Sequence, residues 1–108
     1  MDMGPSSSAP SAELHRAREL RLAATAEEGP TRLAHICLDA WHGGDVVAAG
    51  MTLASLLRAL PGVGPVTAHD ILIGARATEA TLLGALDHDQ RAALASSLAR
   101  IPTAGGSA

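Results

Sequence analysis

Trp41 is the only aromatic side chain in a sequence that is 47% hydrophobic, and with Phe and Tyr absent the interior must be built from Ala, Leu, Val and Ile. Small aliphatic side chains suit closely approaching helices. Ala, Leu, Arg and Glu are good helix formers, and the aromatic and β-branched residues that populate sheets are scarce. The expectation is an all-α fold. A chain of 108 residues has room for one modest core and no second domain. Residues 1–11 and 102–108 are Ser, Pro, Gly and Ala with little to bury, so both read as disordered tails around a single helical domain at 12–101.

Helix signals divide that domain. Ala12 to Ala26 has strong helix propensity, with Ser11 as a candidate N-cap. Gly29 and Pro30 then open a second helix running to about Trp41, with Leu33, Ile36, Cys37 and Ala40 at the spacing of a buried stripe. His42, Gly43 and Gly44 stop it. A short helix follows from Asp45 to Ala49. Thr52 caps the next, in which Leu53, Leu56, Leu57 and Leu60 form an apolar face ended by Pro61. Pro65 starts a helix to about Ile73 that is expected to bury Val66, Ala68, Ile71 and Leu72. A short helical turn lies between Thr78 and Leu86. Asp87 with Gln90 is a capping-box arrangement at the start of the last helix, which presents Leu94, Leu98 and Ile101 on one face.

The stretch LPGVGPVTAHDIL, Leu60 to Leu72, carries the functional signal within a hairpin at 52–73. A leucine-rich helix, a Gly62-Val63-Gly64 turn and a second helix follow one another directly, which is the signature of a helix-hairpin-helix. Glycines permit a sharp turn and close approach of a bulky backbone, while Val63 points back and fixes the turn. Amides of the turn and of the following helix start then face outward at the positive end of the helix dipole, where phosphate binds. Contacts of this kind position a protein on nucleic acid without reading bases. The plainer alternative is an αα-corner that uses Gly for geometry and Pro to start a helix.

The order of features resembles the actinobacterial type of integration host factor, a small nucleoid-associated DNA-binding protein. The matching pieces are an Arg-bearing N-terminal helix, the segment MTLASLLRALPGVGPVTAHDIL from Met51 to Leu72, and DQRAALASSL from Asp89 to Leu98. The resemblance implies an N-terminal helix followed by a helix-two-turns-helix module containing the hairpin. It further implies largely sequence-independent binding and bending of double-stranded DNA through the phosphate backbone. The contacts it suggests are the backbone at Gly62, Val63 and Gly64 and the side chain of Arg91. Arg58 and Arg76 are nearby charges, and Arg16, Arg18 and Arg21 form a second contact surface. Two departures stand out. The family carries a Lys directly after the turn and a basic residue two positions later, where this chain has Pro65 and Thr67, and the segment Ala77 to Leu86 holds Glu79 and no basic residue.

Charge and chemistry narrow the classes. The formal charge is −3 and all eight basic residues are Arg, so the usual basic footprint of a nucleic-acid binder is missing and binding must come from local charge and oriented amides. His15, His35, His42, His69 and His88 include no pair three or four apart, so no metal site is expected. Cys37 stands alone, excluding an internal disulfide, and reads as a small buried hydrophobe. No catalytic constellation, cofactor motif, small-molecule site or membrane span is found, and a cytoplasmic, nucleoid location is expected. Two functions remain open at this level: a DNA-binding architectural protein, or a divergent paralogue acting as a protein-interaction or assembly module. RNA is a third partner compatible with the hairpin.

Overall fold

Caps and prolines set the element boundaries in the computed structural model, which describes residues 3–101, with side chains from Ala12 onward. Helix α1 spans Met3–Glu28, α2 Pro30–His42, α3 Val46–Ala49, α4 Leu53–Ala59, α5 Pro65–Gly74 and α6 His88–Arg100, with a 3₁₀ turn at Leu83–Ala85 before α6. No strand occurs among the described residues, and the fold is all-α. Asp45 caps α3 by accepting from the Ala48 amide, Thr52 caps α4 through the Ser55 amide, and Asp87 and Gln90 make both bonds of the capping box on α6. Pro30 and Pro65 each stand in a first helical turn, where a missing N–H breaks no bond.

Helix α1 begins at Met3, well before the Ala12 start expected from the sequence, so the backbone expected to be a tail from residue 3 continues the helix. Extending an existing helix costs far less than nucleating one, and Pro5 falls in its first turn. The expected C-terminal tail, 102–108, lies outside the described residues. At the other end of α1, Gly29 turns the chain into α2 at φ 81°, a backbone region that only glycine enters without strain.

Helix α4 packs on α1 and α5. Its Leu53, Leu56 and Leu57 are fully buried in one core cluster with Leu33, Ile36 and Cys37 of α2, Ala68, Ile71 and Leu72 of α5, Leu83 and Leu86 at the 3₁₀ turn, and Leu94 and Leu98 of α6. The expected stripes of α2, α4 and α6 are thus the observed ones, except that Ala40 and Ile101 are only half-buried. Val66 departs outright. It is 74% exposed, because α5 buries Ala68, Ile71, Leu72 and the following Ala75, and a residue two places before Ala68 is turned about 200° away. Trp41 is half-buried against the core, with its indole N–H donating to the Leu83 carbonyl at 3.0 Å. Beside it Cys37 is buried, and burial alone pushes its thiol up to about 12. An apolar cavity of 140 Å³ between α2 and α6 is lined by Ala34, Cys37, Leu38, Trp41, Ala95 and Leu98.

A polar pin fixes α1 on this core. Arg21 donates from Nε and Nη2 to the two carboxylate oxygens of Asp45, each at 3.0 Å, and from Nη1 to the Ala17 carbonyl at 2.8 Å. Burial opposes ionisation of Asp45, but the hydrogen bonds from Arg21 and the Ala48 and Val47 amides, with the Arg21 charge, outweigh it and hold the carboxyl below its ordinary value. A carboxyl depressed by folding contributes stability above its unfolded pKa that is lost as pH falls through the folded one. Asp45→Asn keeps a capping oxygen but removes the charge, and is expected to cost about 1–2 kcal/mol at neutral pH. Denaturant titrations at neutral and acidic pH check this: the gap between variant and wild type should close as pH falls through the carboxylate range, and an unchanged gap would refute the pin.

Candidate nucleic-acid interface

The turn between α4 and α5 is built from Leu60 to Gly64. Leu60 stays buried and its amide donates to the Leu57 carbonyl at 3.1 Å, closing α4. Gly62 takes φ 78°, the left-handed region, so the chain reverses there. Val63 packs against the core and its amide donates to the Leu60 carbonyl at 3.3 Å. Gly64 is the N-cap of α5 at φ −84° and ψ 178°, ordinary extended backbone, and its carbonyl accepts from the Ala68 amide at 2.9 Å.

Counting donors separates the turn amides. The Val63 N–H, expected to point outward, is used inside the turn, and Pro65 has none. The amides of Gly62, Gly64, Val66 and Thr67 donate to no group among the described residues. These four belong to exposed residues at the positive end of a helix of ten residues. A Cβ placed on Gly62 or Gly64 would meet nothing within 4 Å, so a large ligand has open access to the backbone there. Beside the turn lies a cleft of 440 Å³, lined by Gly62, Val63, Thr67 and Asp70 on one side and by Ser97 and Arg100 of α6 on the other.

The arginines expected to support the turn meet different fates. Arg58, in the last turn of α4, forms an ion pair with Glu79. Arg76 is exposed with φ 55°, its carbonyl accepting from Gln90 Nε2 at 3.1 Å, and makes no ion pair among the described residues. Arg91 is engaged structurally: Nε donates to the Leu86 carbonyl at 3.0 Å and the guanidinium lies 5.2 Å from the Trp41 ring centre. Such a cation over an aromatic face tightens the packing of α6 on α2.

On α1 the expected second surface does not hold together. Arg21 is committed to Asp45, and Arg16 lies about 200° around the helix from Arg18. Arg18 alone is carried toward the hairpin, lining a groove with Thr52 and Ser55 at the start of α4. Ser55 and Arg58 are three residues apart on α4 and share a face, so Arg18, Arg58 and the turn follow one another along that helix. Arg100 escaped the sequence reading altogether. It sits at the end of α6, and only the packing of α6 on α5 brings it to the cleft.

No cluster of three or more His, Cys, Asp or Glu among the described residues is placed to hold a metal ion. No helix of the described residues is long and apolar enough to cross a membrane. Compared with protein-family models, with curated proteins and with solved structures, the chain matches none.

Proposed function

We propose that the protein is a duplex-DNA-binding architectural protein of the integration-host-factor type. In this reading it works in the nucleoid, carries a helix-two-turns-helix module, and grips the phosphate backbone without reading sequence or catalysing a reaction. The observation that carries the reading is the open turn, where the amides of Gly62, Gly64, Val66 and Thr67, which donate to no group among the described residues, gather around the start of α5. Oriented amides and a helix dipole together favour an anion. Arg100 across the cleft and Arg18 of α1 beside the start of α4 are the cations around them, offset by Asp70 and Glu19 in the same linings, and Arg58 is paired with Glu79. With few cations in play, affinity should be modest and its salt dependence shallow.

The test is binding of a labelled duplex across a salt series by the wild type and by Pro65→Lys with Thr67→Arg. Both positions are exposed beside the free amides, and two added charges move the net from −3 to −1. Each phosphate newly neutralised steepens log affinity against log salt by about 0.9. Against this, losing the fixed φ of Pro65 and placing cations at a helix N-terminus should each cost about 0.5–1 kcal/mol of stability. Tighter binding, greatest at low salt, is expected from the folded variant. If neither protein binds duplex DNA, or the variant gains neither affinity nor slope, the turn does not face a phosphate backbone.

A second reading, a protein-interaction module, is favoured by one feature. Val66 and Ile73 are 74% and 58% exposed and lie seven residues apart on the outer face of α5. Apolar side chains so placed suit a protein surface better than a phosphate backbone. This is the reading that stands if the salt series shows no binding.

A further inference from the structure

The segment between α5 and the 3₁₀ turn is short, polar and firmly held. Leu53 N–H donates to the Thr81 carbonyl at 3.0 Å and Leu83 N–H to the Met51 carbonyl at 2.8 Å, with Thr52 and Leu82 paired as an antiparallel bridge between them. Within the segment, the Thr78 amide donates to Thr81 Oγ1 at 2.9 Å and the Thr81 amide to the Thr78 carbonyl at 3.2 Å, closing a turn around Glu79 and Ala80. At its other end the Ala77 amide donates to the Leu72 carbonyl at 2.8 Å. A backbone tied to α4 at one end and α5 at the other holds Glu79 in a fixed position. That position is within reach of Arg58.

The Arg58–Glu79 pair contributes little to the fold. Both side chains are about half exposed, at 52% and 57%, and ion pairs of this kind are worth about 0.2–1 kcal/mol. It does, however, neutralise the guanidinium of Arg58, whose backbone lies in the last turn of α4 just before the hairpin turn and whose side chain is held toward the Glu79 loop. A carboxylate and a phosphodiester are both anions that offer oxygen acceptors to a guanidinium, so they are alternative partners for Arg58. We propose that Glu79 is a built-in competitor for Arg58, occupying it in the free protein and giving way to a backbone phosphate when duplex DNA engages the turn. The inference rests on the phosphate-binding reading above and adds a control to it: the loop sets how tightly the hairpin binds.

Two quantities follow. A pair worth about 0.2–1 kcal/mol outweighs its open form by about 1.4- to 5-fold, so removing the competitor should tighten binding about twofold to sixfold at low salt. The displaced carboxylate also regains counterions while the phosphate loses one. The wild-type salt slope should therefore fall short, by up to about 0.9, of the slope with Glu79 neutralised.

The experiment uses the full chain and its E79Q, R58Q and R58Q/E79Q variants, each checked for unchanged helical circular dichroism. Binding is read from the anisotropy of a labelled duplex of about 30 base pairs across low to moderate salt. Expected is a twofold to sixfold gain and a steeper slope for E79Q, with R58Q/E79Q binding no better than R58Q. An equal gain from E79Q in the R58Q background would show a general charge effect and overturn the competition. An E79Q protein that binds like the wild type would overturn it too, leaving DNA binding itself intact. Failure of both wild type and E79Q to bind at low salt would instead remove the phosphate-binding reading, and the competition with it.

Discussion

Gly64→Glu is expected to weaken duplex binding by about a hundredfold while leaving the fold in place. The residue caps α5 with φ −84° and an open surround, so a side chain enters without backbone strain or collision. An acidic group at a helix start even complements the dipole. The same carboxylate stands where a phosphate would sit, and like charges brought together at an interface cost several kcal/mol, of which about 2–3 would give the hundredfold. Gly64→Ala is the matching control and should bind nearly as the wild type does. Gly62 is the poorer site for this test, because φ 78° strains any side chain and would mix a folding defect into the result. Duplex anisotropy with parallel melting curves decides the matter: an intact Gly64→Glu protein with wild-type affinity would falsify the turn as the contact.

Leu56→Ala should carry the largest effect on stability, about 2–5 kcal/mol. Leu56 is fully buried in the core cluster, on a helix packed against α1 and α5. Truncation removes apolar area from the folded state and leaves a cavity that the surrounding helices fill only in part. Small domains are held by about 5–15 kcal/mol, so the variant would be marginal at ordinary temperature. Urea titration followed by circular dichroism should show a lower midpoint with an unchanged slope. A loss below about 1 kcal/mol would mean that Leu56 is not packed in the core.

Signals lying within a few residues of one another were legible in the sequence. Asp45, Thr52 and the Asp87–Gln90 box act as caps, Pro30 and Pro65 stand in first turns, and Leu53, Leu56 and Leu57 face the core, all of which depend on spacing along one helix. In α5 the expected Ala68, Ile71 and Leu72 are buried and Val66 alone departs, because the apolar residues of that helix fall on several faces and packing against α4 and α6 decides which of them is covered. The candidate site was legible where it is backbone and obscure where it is charge. The glycines announce the turn, but which arginines are left to serve it depends on partners far along the chain: Arg21 with Asp45, Arg58 with Glu79, and Arg91 with the Trp41 ring. Arg100 likewise reaches the cleft only through the docking of α6.

The seam between α2 and α6 gives the protein an internal clock. Cys37 is its lone thiol, and at a pKa of about 12 the buried group holds almost no thiolate, the form that reacts with alkylating reagents. Modification therefore waits for the seam to part, and its rate under excess reagent reports how often that happens. Trp41 lines the same cavity and is the chain's sole indole, so its emission follows the same event by light. Loosening of α6 could thus be timed chemically and optically in the unaltered sequence, with no label engineered in.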